Sequence, residues 1–157
     1  MASAQRGTWL MDTAQTQPPT TAPALRLNNI ALAVANLDAM TTWYVEVLGL
    51  VVVARGHFDA VGADYAMLDG TGFRLELVSR PGTPKVAAKR TPPPEHLDET
   101  GWKALVLESV DLTGTTARLD KLDVEVVWAQ AQLTPTISST MIRDPEGNLI
   151  HILGQPE

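Results

Sequence analysis

Two titratable side chains stand inside short segments that are otherwise mostly apolar: Glu76 in FRLELVS (73–79) and His151 in NLIHILG (148–154). A carboxylate and an imidazole brought together in an apolar setting make a workable acid/base pair. Burial raises the pKa of the first and lowers that of the second, moving both towards neutrality. The same groups also admit a purely structural role, with Glu76 satisfied by Arg74, His151 or Asn29 and the histidine simply hydrogen-bonded in a packed interior. The choice depends on the elements that carry them.

His151 lies on a predicted strand that follows a tight turn, opened by Asp144-Pro145 and closed by Gly147. Turn chemistry alone accounts for the DPEG stretch. Upstream, LNNIALAVA (27–35) reads as a strand, and residues 36–50 read as a helix. Leu37, Met40, Tyr44, Val47 and Leu48 fall at helical spacing, and Gly49 stops the run. Strands follow at 51–58, 64–69 and 73–79, the last two joined by the hairpin signal GTG. Residues 80–101 contain five of the eleven prolines and form a linker. The same order then returns: strand 102–110, helix 111–122, and strands 124–131, 137–144 and 148–154.

The two halves align in detail. Leu37 pairs with Val110 and Asp38 with Asp111 at an offset of 73; Gly72 pairs with Gly147 and Glu76 with His151 at an offset of 75. The expected fold is therefore α+β, a tandem βαβββ repeat. Residues 1–24 make a flexible N-terminal arm, with Trp9-Leu10-Met11 as its one apolar triplet. Residues 25–79 are the first module, 80–101 the linker and 102–157 the second module.

Composition narrows the function classes. Of 157 residues, 45% are hydrophobic and 19% charged, as in ordinary globular proteins. There is no cysteine, which excludes disulfides and thiolate chemistry. The net charge of −6 with no Lys/Arg cluster argues against a nucleic-acid partner. No stretch has the apolar length of a membrane span, and residues 1–24 lack the apolar core of a secretion signal. A cytoplasmic location is the expectation.

NIALAVANLDAMTTWYVEVLGL (29–50), FRLELVS (73–79) and RDPEGNLIHIL (143–153) together resemble the vicinal oxygen chelate superfamily, which includes glyoxalase I, bleomycin-resistance proteins and extradiol dioxygenases. The first segment is similar to the family's opening strand and helix, and the other two to the strands that close its two modules. The resemblance covers residues 27–154 and implies curled mixed sheets around a shared cleft, commonly in a homodimer. It also implies four equivalent points where metal-dependent members hold His or Gln, Glu, His and Glu. Carried over, those points are Asn29, Glu76, Trp102 and His151, of which only Glu76 keeps the family's type. The period of two along strands places Asn29, Ala31 and Ala33 on one face, with Arg74, Glu76 and Val78, Trp102, Ala104 and Val106, and Leu149, His151 and Leu153 on the corresponding faces. The branched apolar residues on the opposite faces should meet the helices, so these sets should line the cleft.

Three readings follow. In the first, the cleft binds a small organic substrate without metal or other cofactor, Glu76 and His151 act as base and acid, and Asn29 and Arg74 orient substrate oxygens. In the second, the protein sequesters a planar, cationic ligand against Trp102 without turning it over. In the third, Asn29, Glu76 and His151 form an atypical site for a divalent metal. Trp102 cannot ligate, which leaves that set weak.

Overall fold

Asn36 starts the first helix: its side-chain oxygen accepts from the Ala39 amide at 3.0 Å, satisfying a donor that the helix itself leaves free. The helix, α1 (Leu37–Leu48), buries Met40, Thr41, Tyr44 and Val47 on one face. It ends at Gly49, whose φ of 71° is the left-handed conformation that closes a helix. Before it runs β1 (Ile30–Ala33), and after it the antiparallel meander β2 (Val51–Phe58), β3 (Ala63–Gly70) and β4 (Phe73–Ser79). β4 returns to lie parallel to β1, giving the sheet order β1-β4-β3-β2. The structure, a computed structural model, describes residues 25–70, 72–86 and 89–156. The arm and its Trp9-Leu10-Met11 triplet lie outside the described residues.

The second module repeats the plan. β5 (Ala104–Glu108), α2 (Leu112–Lys121), β6 (Val126–Thr134), β7 (Ile137–Arg143) and β8 (Leu149–Gly154) form a second four-stranded mixed sheet in the order β5-β8-β7-β6. Asp111 caps α2 by accepting from the Gly114 amide at 2.8 Å. That cap corrects the expected alignment of the halves. A capping side chain must sit three residues before the amide it receives, so Asp111 is the counterpart of Asn36 and not of Asp38. Leu37 and Leu112, Val51 and Val126, and Glu76 and His151 are then all 75 residues apart, and the offset of 73 disappears.

The faces follow the period-two reading. Leu75 and Leu77 on β4, with Ala66 and Leu68 on β3, are buried with the inner face of α1. Ile150 and Ile152 on β8 join Leu112 and Leu119 of α2 in the same continuous core. Arg74, Glu76 and Val78, and likewise Leu149, His151 and Leu153, lie on the opposite, helix-free faces.

What joins the modules is polar as well as apolar. The Asp144 carboxylate, 2% exposed, accepts from the Tyr44 hydroxyl at 2.9 Å, from the Asn148 side chain and amide at 2.8 and 2.9 Å, and from the Glu146 amide at 3.0 Å. Burial first, and then the charge of Asp144, push the Tyr44 phenol above its ordinary pKa, so it stays a donor. Module two also grips both ends of α1. Glu146 accepts from the Ala35 and Asn36 amides at 2.8 and 3.1 Å, and Arg118 donates to the Val47 and Glu46 carbonyls at 2.7 and 2.6 Å. An acid at the helix start and a base at its end complement the helix dipole. Tyr44→Phe should therefore cost about 1.5–3 kcal/mol, read as a lower urea midpoint at unchanged slope. A midpoint equal to the parent's would mean that the other three donors suffice for Asp144.

Candidate active site

Glu76 projects from the middle of β4, flanked by Ala31 on β1 and Met67 on β3. Both neighbours belong to its own face, and Ala31 is too small to screen it. Asn29, just before β1, donates its Nδ2 to Glu76 Oε2 at 2.5 Å, while Asn28 donates to Asn29 Oδ1 at 2.6 Å. The donation from Asn28 fixes which way the Asn29 amide points, so an amide relay holds one carboxylate oxygen of Glu76. Oε1 has no hydrogen-bond partner among the described residues.

Arg74 is placed differently from the expectation that it would orient substrate. It forms a two-pronged ion pair with Asp69, its cross-strand neighbour, through Nε at 2.5 Å and Nη2 at 2.9 Å. The pair holds the Asp69 carboxyl below the usual carboxylate range. A guanidinium occupied in this way has little left for a ligand anion.

His151 occupies the equivalent position on β8, between Val106 of β5 and Met141 of β7. Its Nε2 lies 2.6 Å from Ser139 Oγ, and the same oxygen accepts from Trp128 Nε1 at 2.8 Å. The Trp128 ring stands 5.5 Å from the imidazole. Ser139 and Met141 are fully buried although they face away from α2. Residues of the linker reach this module: the Lys89 carbonyl accepts from Arg143, and Arg90 pairs with Glu125. His96, on a short 3-10 turn (Glu95–Leu97), adds a second imidazole. Burial, and then the proximity of His96, push the His151 pKa down.

Trp102 also needs correcting. It precedes β5 and is 98% exposed. With the 75-residue offset, the counterpart of Asn29 is Ala104. Trp102 instead borders a slot of about 630 Å³ between the unpaired edges of β1 and β5, together with Leu27, Asn29, Ala31 and Ala104. Neither Glu76 nor His151 lines that slot.

The four points that the resemblance marks as metal positions thus become Asn29, Glu76, Ala104 and His151. A methyl group cannot ligate, Asn29 spends its amide on Glu76, and the Nε2 of His151 is engaged by Ser139. No group of three or more His, Asp or Glu among the described residues is arranged to hold a metal ion. This donor set does not fit a tetrahedral metal site.

Two βαβββ modules, each a four-stranded sheet backed by one helix with its polar residues at equivalent points of the helix-free face, define a paired-module architecture. A family model for the Glyoxalase/Bleomycin resistance protein/Dioxygenase superfamily matches residues 26–152, and the chain belongs to that superfamily. It is similar to a glyoxalase family protein from Bacillus cereus, at 22% identity and a TM-score of 0.70, covering 88% of this chain and 99% of that one. It is also similar to a glyoxylase/bleomycin resistance protein/dioxygenase domain from Frankia sp. EAN1pec, at 20% identity and a TM-score of 0.67, covering 85% and 99%. The trypanothione-dependent glyoxalase I of Leishmania major matches at 19% identity and a TM-score of 0.64, covering 83% and 87%. At these identities the likeness concerns the fold. No curated protein matches the sequence.

Sequence reasoning missed Ser139, Trp128 and His96. Ser139 was within reach, since antiparallel pairing of ISSTMIR with LIHIL puts Ser139, Met141 and His151 on one face. Trp128 was not, because register shifts on either side of it re-aim its side chain.

The depressed His151 pKa has a consequence for stability. The folded chain holds this proton less tightly than the unfolded chain, so stability falls as pH drops through the ordinary imidazole value of 6.5. His151→Gln should flatten that slope, with its urea midpoint falling less than the parent's between roughly pH 7.5 and 5.5. Parallel slopes would show that His151 does not carry the effect.

Proposed function

We propose that this protein is a metal-independent enzyme that moves a proton on a small organic substrate, in an isomerisation, elimination or cyclisation. The observation that carries the reading is the state of Glu76: one oxygen held by Asn29, the other without a partner among the described residues, on an open helix-free face. A carboxylate fixed at one oxygen and free at the other is oriented to take a proton from carbon. His151, at the equivalent point of the second sheet, faces the substrate's oxygen, where charge builds as the C–H bond breaks. Asn29 acts on Glu76 rather than on substrate, and Arg74 serves the sheet.

The test is hydrogen–deuterium exchange at carbon, followed by proton NMR in D₂O, on a panel of small ketones, oxo acids and thioesters. The protein should wash deuterium into at least one member. Glu76→Gln should slow that exchange by about 10²-fold or more, and Asn29→Ala by about tenfold. Exchange at the parental rate in Glu76→Gln would sink the assignment.

The slot between β1 and β5 favours a second reading, a sequestering protein for a planar, drug-like molecule. Trp102 offers an exposed indole face beside largely apolar walls, and the charged residues of the lining, Lys89, Lys103 and Arg143, are all basic, so a planar ligand with an anionic group suits the slot better than the cation expected from the sequence. Planar aromatic anions such as anthraquinone sulfonates should then quench tryptophan fluorescence, and Trp102→Phe should abolish the saturable part. Equal quenching in the variant would remove this reading.

A further inference from the structure

Ser139 is fully buried, and its hydroxyl has two partners among the described residues, Trp128 Nε1 at 2.8 Å and His151 Nε2 at 2.6 Å. An indole N–H only donates, so it occupies a lone pair of the hydroxyl oxygen. The hydroxyl proton then has a single acceptor, the bare Nε2 of a neutral imidazole. If Nε2 carried the proton instead, Oγ would accept twice and a buried O–H would be left with nothing to bond, a costly arrangement. The ring's proton therefore sits on Nδ1, which has no partner among the described residues.

We propose, resting on the proton-transfer reading above, that His151 works as a neutral hydrogen-bond donor through Nδ1–H to a carbonyl oxygen of the substrate, and that Ser139 and Trp128 are positioning residues that impose this tautomer. In the reaction, Glu76 takes the proton from the carbon beside that carbonyl. The C–H electrons form the carbon–carbon double bond of an enolate, and the oxygen takes the negative charge under the Nδ1–H. Glu76 then returns the proton to carbon. His151 does not give up its own proton. Doing so would leave an imidazolate, a stronger base than the enolate it had protonated, so the proton stays on Nδ1. The substrate class is thus a small molecule with an acidic C–H next to a carbonyl. The low pKa of His151 agrees with a ring kept neutral, and His96 is the other titratable group that acts on it.

The same network explains the local irregularity of β6. Register shifts bracket Trp128, and Gln130 takes a positive φ of 49° while its amide donates to Thr140 Oγ1 at 3.1 Å. Bulges of this kind turn a side chain out of the regular alternation, here so that the indole N–H meets Ser139.

Two-bond ¹H–¹⁵N correlation spectra of protein carrying ¹⁵N-histidine read the tautomer without any substrate. The parent should show His151 with Nδ1 protonated and Nε2 bare. Ser139→Ala should move it towards the Nε2–H form that free histidine prefers and raise its pKa, and Ser139→Thr, which keeps the hydroxyl, should restore the parental pattern. An Nε2–H ring in the parent, or an Nδ1–H ring that persists in folded Ser139→Ala, overturns the proposal. Deuterium exchange that survives in Glu76→Gln overturns the proton-transfer reading instead, and leaves the tautomer result standing.

Discussion

The buried carboxylate of Asp144 is the constraint on which the arrangement of the modules rests. A full negative charge at 2% exposure is tolerable only when its lone pairs are taken up, and here four donors take them up. Three come from its own turn, and the fourth, the Tyr44 hydroxyl, comes from the helix of the other module. The turn must therefore lie against α1, which brings Glu146 to the helix's first amides. The β1 and β5 edges are then held side by side. The slot between them follows from that placement.

Duplicated architecture has been given unequal chemistry. Glu76 and His151 hold equivalent register positions, yet their partners differ in kind. An amide from the neighbouring strand's approach clamps the carboxylate, while a buried hydroxyl from β7 clamps the imidazole. The first sheet's helix-free face is open, with Ala31 and Ala33 exposed and β2 exposed along its length. On the second sheet, Ser139, Met141 and Arg143 are buried on the same kind of face. The two equivalent faces thus differ, one open to solvent and one packed.

Much of this was legible in the sequence, for reasons that can be named. The bounds of β2 and β4 agree with the strands expected at 51–58 and 73–79, and the faces of β4 and β8 follow from the period of two along a strand. β1 proved shorter than its apolar run because only four of its residues find a partner on β4. Trp102 was misplaced because the offset of 73 read from Asp38 and Asp111 put it opposite Asn29, and the helix cap at Asp111 overrides that offset. Arg74 was legible as a charge on the helix-free face, but its neutralisation by Asp69 depends on the hairpin register. Trp128 and Gln130 were beyond reach, since a bulge shows itself only in three dimensions.

The unpaired inner edges also bear on how the chain keeps other chains away. β1 and β5 border one slot, so neither offers an open flank to a foreign strand. The outer edge β2 is long and carries Val51, Val52 and Val53, all exposed, a sequence that in a flat strand would invite cross-chain pairing and fibre growth. Its ladder to β3 is interrupted between Val52 and Ala54, leaving Val53 without a counterpart. The edge is bent where it is most adhesive, and a straight strand from another molecule cannot stay in step with it.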